Sequence, residues 1–175
     1  SRLRPHTYTL PKVLLNVAGK PILGHILDRL IQEGVTAASI VVGYLGEMVE
    51  EYVRKNYQID VEFIQQPELL GLGHSIYLTR HTFTADPLLI ILGDTIFDVD
   101  LRPVLSGQES SLGVKWVEDP RRFGVVETAN GEITRLVEKP QNPATNLAIV
   151  GLYFIANPTL LSQCLTELVD GNPGK

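Results

Sequence analysis

The chain has 175 residues, 44% of them hydrophobic and 20% charged, with a formal net charge of -5. That size and balance suit one domain with a substantial core, and its apolar runs, at 87–92 and 147–156, fall well short of the roughly 20 residues a spanning helix needs. The acidic balance and the lack of interleaved basic and aromatic residues argue against nucleic acid, and the single cysteine, Cys164, rules out an intrachain disulfide and reads as a buried small hydrophobe.

In chain order, the first twenty-one residues carry Arg2, Arg4, Lys12 and Lys20 among Pro5, Pro11 and Pro21. Four cations gathered on an acidic protein predict a focused anion site, presented from a proline-stiffened loop. A solvated basic loop is the plainer reading of the charges alone. Ile22, Leu23, Ile26, Leu27, Leu30 and Ile31 then share one face of a predicted helix that Gly34 closes. Residues 39–42 form a short apolar strand. Met48, Val49, Tyr52 and Val53 predict a second amphipathic helix, with Glu47, Glu50, Glu51, Arg54 and Lys55 on its wet side. Ile59, Val61 and Phe63 alternate with polar residues as a strand leading to Gln65 and Gln66. A helix over about 73–81 follows. The unbroken run 88–92, ending in Gly93-Asp94, predicts a strand buried on both faces. This alternation predicts a mainly parallel sheet with right-handed crossovers.

The second half changes character. Short strands are predicted over 112–117, 123–127, 133–137 and 148–155, with Asn130-Gly131 turning a hairpin between the second and third. Asn157-Pro158 offers a cap and a first-turn proline for a helix reaching Leu168. Asp170 to Lys175, rich in glycine and proline, reads as a loop leading onward.

Three further stretches carry candidate chemistry. In Gln66-Pro67-Glu68-Leu69-Leu70-Gly71-Leu72-Gly73-His74-Ser75, the Gln66 amide offers the donor and acceptor that a pyrimidine edge requires. Gly71 and Gly73 allow close backbone approach at a helix start, while His74 reads as a structural first-turn residue. Asp94 lies just beyond the end of a buried strand, where ligands bind in open α/β sheets, whereas Asp98 and Asp100 read as loop acids. The third stretch spans Phe123-Gly124, Glu138-Lys139-Pro140 and Val150-Gly151-Leu152-Tyr153.

These motifs, in this order from Ser1 to about Ile155, resemble the sugar-1-phosphate nucleotidyltransferases, the glucose-1-phosphate thymidylyltransferases foremost. The resemblance implies a three-layer α/β/α, Rossmann-like fold with a parallel nucleotide half, 1–100, and a mixed sugar half, 101–175. It assigns Arg2 to the triphosphate and Lys12 to the α-phosphate, with Gln66, Gly71 and Leu72 at the base. Asp94 becomes a Mg²⁺ ligand, with a second carboxylate expected beyond Lys175. Gly124, Glu138, Lys139, Asn146 and Tyr153 are assigned to the sugar phosphate. In that family an apolar strand and a Gly-rich turn precede the basic signature, so the domain is expected to be incomplete.

The implied reaction joins dTTP or UTP to a sugar 1-phosphate, glucose 1-phosphate first, and releases pyrophosphate. The rivals are uridylyl or guanylyl transfer in the same family and a non-catalytic regulator that binds nucleotide sugar. The expected partners are thus the triphosphate and the sugar 1-phosphate, with no nucleic acid and no membrane. A cytoplasmic location is expected, and a homo-oligomer is left open.

Overall fold

The structure, a computed structural model, describes residues 9–171. Arg2, Arg4 and Pro5 of the basic opening, and the end of the C-terminal loop, therefore lie outside the described residues. Pro11 starts a 3₁₀ turn over Lys12–Leu14, and a small hairpin follows, β1 (Asn16–Val17) with β2 (Lys20–Pro21). Ala18 and Gly19 make its turn with φ of 48° and 84°. This hairpin replaces the single extended loop expected there. Positive φ at both central residues matches the right-handed twist of the flanking strands.

The helix α1 (Ile22–Gln32) comes next, then β3 (Ala37–Val42), α2 (Gly46–Asn56) and β4 (Asp60–Gln65). β3 and β4 pair in parallel, with Ser39 opposite Glu62 and Ile40 opposite Phe63. Side chains alternate along these strands. Ile40, Val42, Val61 and Phe63 pack against Leu23 and Leu27 of α1 and Val49 and Val53 of α2. The opposite face meets the chain after α3 (Leu72–Leu78): Ser39 Oγ bonds Thr82 Oγ1 at 3.1 Å, and Glu62 meets His81 Nε2 at 2.8 Å. Helix, sheet and helix thus stack in three layers, as expected of the α/β fold.

α1 has a second contact. Ile22, Ile26 and Leu30 pack on Leu89 and Ile91 of β5 (Leu88–Ile91). One helix therefore covers both the β3–β4 pair and β5. The two are not hydrogen-bonded to each other. Ile31, expected on the buried face, is 40% exposed because it lies a further 100° around the helix from Leu30. Beneath α1, Lys20 pairs with Asp28, whose other oxygen accepts from Tyr57 Oη at 3.0 Å. Burial alone would raise the Asp28 pKa, but the bonds from Lys20 and Tyr57 outweigh it and lower it.

After β5 come a short helix, α4 (Arg102–Leu105), then β6 (Ser111–Trp116), β7 (Gly124–Ala129), β8 (Glu132–Glu138), β9 (Leu147–Ile155) and α5 (Pro158–Asp170). Asp100, expected as a loop acid, accepts from the Arg102 backbone at 3.1 Å and pairs with its guanidinium, which holds its carboxyl down at about 2. Asn130 and Gly131 turn the β7–β8 hairpin as predicted, both at positive φ. β9 is the hub of a five-stranded sheet in which every pair is antiparallel.

Parallel pairing among the described residues is therefore confined to β3 and β4, less than the alternation of elements suggested. β5 is half-buried rather than closed on both faces, and among the described residues it pairs with β9 alone. Asn157 caps α5 by accepting from Leu160 N–H at 3.0 Å. Cys164 is exposed, contrary to expectation, because α5 turns Leu165 inward and carries its neighbour around to solvent. No helix among the described residues is long and apolar enough to cross a membrane.

Candidate active site

The register around β9 creates the site. Tyr153 pairs with Ile90 of β5 on one side and Leu112 of β6 on the other, and Ala148 pairs with Val125 of β7 and Lys115 of β6. β5 and β7 therefore lie one after the other along the same edge of β9, running in the same direction. β5 ends opposite Leu152 and β7 begins pairing opposite Ala148, four residues or about 13 Å apart along the strand. Across this break the exit of β5, with Gly93-Asp94, faces the entry of β7, with Phe123-Gly124.

Close packing holds the exit in place. A Cβ on Gly93 would sit 2.8 Å from Val13, and one on Gly151 would sit 2.5 Å from Leu92 and 2.6 Å from Thr95 Oγ1. The 3₁₀ turn thus lies directly on the β5 exit, and Lys12 Nζ forms an ion pair with the Asp94 carboxylate, both side chains half-exposed. These two residues are 82 positions apart in sequence, and the fold brings them together.

Beyond the break, Gly124 pairs with Glu138, and a Cβ on Gly124 would lie 3.0 Å from Glu138 Oε2. Glu138 forms an ion pair with Lys139. Lys139 has φ of +43°, and its backbone N–H bonds Phe123 O at 3.0 Å. A left-handed lysine costs about 1–2 kcal/mol, and such strain concentrates at functional positions. Tyr153 lies on the same sheet face, its phenol pKa raised by burial and then by the charge of Glu138. Asn146 is placed differently from the other sugar-side candidates: its amide nitrogen donates to Val117 O at 2.8 Å and Glu118 O at 3.1 Å. It ties the exit of β6 to the entry of β9. Trp116, opposite Leu147 of β9 and 66% exposed, was not anticipated. A lone tryptophan in a strand pattern gives no sign of which face it takes.

On the other flank, β4 ends at Gln65, and Gln66 N–H continues the ladder to Val42 O at 2.7 Å. Gly71 has φ of 95° and ψ of 179°, a conformation essentially reserved for glycine, and α3 starts at Leu72. Leu69, Leu70 and Leu72 are exposed around Gln66. A cavity of about 580 Å³ is lined by Lys12, Gln66, Leu72 and Gly93 together with residues of β3 and β5. Lys12, Asp94, Gln66, Gly71 and Leu72 thus lie toward one side of the β5 exit, Gly124, Glu138 and Lys139 lie across the break, and Tyr153 stands on β9 beside Ile90. Arg2 lies outside the described residues.

A family model described as nucleotidyl transferase matches residues 1–172. A UTP–glucose-1-phosphate uridylyltransferase of Haloferax volcanii, AglF, is 33% identical over 94% of this chain and 70% of its own length. The chain belongs to the sugar-1-phosphate nucleotidyltransferases. A mannose-1-phosphate guanyltransferase of Xenopus laevis is 34% identical over 93% of this chain and 48% of that protein. A Bacillus anthracis structure described as a glucose-1-phosphate thymidylyltransferase, solved with sucrose, superposes with a TM-score of 0.83 at 28% identity. That match covers 92% of this chain and 68% of the other. The chain spans less than half the length of several curated nucleotidyltransferases it matches.

Proposed function

We propose that the protein transfers a nucleotidyl group from UTP or dTTP to a sugar 1-phosphate, glucose 1-phosphate in the first instance, and releases pyrophosphate. The observation that supports this most is the break in the sheet, with Lys12 and Asp94 on one lip and Gly124, Glu138 and Lys139 on the other. A phosphate oxygen of the sugar 1-phosphate attacks the α-phosphorus, the α–β bridging bond breaks, and its electron pair leaves with pyrophosphate. No protein nucleophile is required. Lys12 and Arg2 offset the charge that redistributes over the α-phosphate, Lys139 orients the sugar phosphate, and Glu138 accepts from sugar hydroxyls.

The residues present fit a magnesium ion. Asp94 is a half-exposed carboxylate at a strand exit, and magnesium takes one or two carboxylates with phosphates and water. Among the described residues there is no larger cluster of metal-binding side chains. Asp94 would hold the ion, which when bound neutralises phosphate charge. Lys12 is paired with that carboxylate.

Thymine and uracil differ by one methyl, worth only about 1–3 kcal/mol in a pocket, so both triphosphates stand. The uridylyl and guanylyl relatives mark the range of bases the fold accommodates. Pyrophosphate release by the full-length protein, measured with Mg²⁺ across a panel of triphosphates and sugar 1-phosphates, tests the proposal. Signal from UTP or dTTP with glucose 1-phosphate is expected. A folded protein silent across the panel would leave the regulatory nucleotide-sugar binder as the better reading.

A further inference from the structure

The amide of Gln66 has two chemically opposite ends, and its neighbours distinguish them. Nε2 lies 3.4 Å from the Gly71 carbonyl oxygen and 3.2 Å from His74 Nδ1, while Oε1 accepts from Ser75 Oγ at 2.9 Å. A backbone carbonyl can only accept, so the end facing Gly71 is the NH₂. The rest follows from that. His74 presents the lone pair of Nδ1 and carries its proton on Nε2, and the Ser75 hydroxyl turns its hydrogen toward Oε1 in preference to Gly71 O at 3.1 Å. Reversing the amide would set Oε1 against the Gly71 oxygen and would require His74 to shift its proton from Nε2 to Nδ1. The His74 ring is itself held by stacking on Tyr77, centroids 6.5 Å apart. The Gly71 carbonyl is aimed by a backbone conformation that other residues avoid.

We propose that His74 and Ser75 are positioning residues that lock the Gln66 amide in one orientation, and that this orientation selects uracil or thymine over cytosine. The inference rests on Gln66 reading the base edge. Uracil and thymine present an N3–H donor flanked by carbonyl acceptors, whereas cytosine presents an N3 acceptor beside an amino donor. The locked amide offers its remaining Oε1 lone pair to N3–H. It shares the Nε2 proton aimed at Gly71, a long contact of 3.4 Å, with the adjacent carbonyl, so that the Gly71 oxygen still opposes the reversed amide. Cytosine fits only the reversed amide, which the network opposes. Sites built to hydrogen-bond one edge reject the mismatched one by leaving polar groups unpaired.

The test compares kcat/KM for UTP against CTP, and dTTP against dCTP, with glucose 1-phosphate and the full-length protein. His74→Phe removes the lone pair but keeps a ring on Tyr77, whereas His74→Asn can return an acceptor near the Nδ1 position. The His74→Phe/Ser75→Ala double variant is expected to lose tenfold or more of the uracil preference, more through KM for the nucleotide than through kcat. His74→Asn is expected to retain most of it. An unchanged preference in the double variant, with the preference lost in Gln66→Ala, overturns the lock and leaves Gln66 as the reader. A preference that survives Gln66→Ala overturns both assignments. A wild type that prefers GTP to either pyrimidine triphosphate, or releases no pyrophosphate from any, overturns the inference along with the base assignment.

Discussion

Lys12 and Lys139 are similar in chemistry and differ in what surrounds them. Lys12 sits on a 3₁₀ turn and is paired with the Asp94 carboxylate. Lys139 ends β8 in a left-handed conformation, beside Glu138. The α-phosphate redistributes charge during transfer, and the sugar phosphate changes less. Interactions strengthened in the transition state appear in kcat, and those made equally in both states appear in KM. Lys12→Ala is therefore expected to lower kcat by about a hundredfold, on the order of 3 kcal/mol. Lys139→Ala is expected chiefly to raise KM for the sugar 1-phosphate. Steady-state kinetics with each substrate varied in turn decides, and two lysines acting only on triphosphate binding would dismantle the two-sided site. Asn146 teaches a different lesson: its sequence position suggested the sugar, whereas its amide nitrogen is spent on two backbone carbonyls of the β6 exit.

At the scale of elements, α1 carries more of the architecture than its eleven residues suggest. Leu23 and Leu27 close the core under α2, while Ile22, Ile26 and Leu30 close the one over β5. Leu27 is 2% exposed and Ile31 is 40% exposed on the same helix. Leu27→Ala is expected to cost about 3 kcal/mol through lost burial and the cavity left behind. Ile31→Ala should cost less than about 1 kcal/mol. Urea unfolding midpoints at constant slope measure both. Equal losses would mean that α1 does not hold the two packing surfaces together. The helix period was legible in the sequence because burial repeats every three to four residues. The Ala18-Gly19 hairpin was hidden, since its strands are two residues each and show no alternation to detect.

For the whole molecule, the site exists only where distant segments meet, so ligand binding should stabilise the fold as a unit. UTP with Mg²⁺ bridges the Lys12–Asp94 lip and the Gln66 loop in the proposed arrangement. A hundredfold excess over Kd contributes about 2.7 kcal/mol, which for a chain of this size raises Tm by about 5–10 °C. Thermal scans with UTP–Mg²⁺ are expected to show that rise and Asp94→Asn to lose most of it. A full shift in Asp94→Asn would remove Asp94 from the metal assignment.

Much of this protein was determined locally. The faces of α1 and α2, the Asn130-Gly131 turn and the Asn157 cap are each written in a few neighbouring residues, whose periodicity and turn chemistry act at short range. The ordered motifs likewise mark Lys12, Gln66, Asp94, Glu138 and Lys139 as candidates. What tertiary structure alone decided is how they face one another. Strand partners are chosen by long-range packing, so nothing local foretold that β5 would pair antiparallel with β9 or that β7 would continue along the same edge. The same holds for Cys164 and Trp116, since one residue's rotation about a helix or strand turns a core side chain into an exposed one. The break in the sheet is a consequence of that long-range choice.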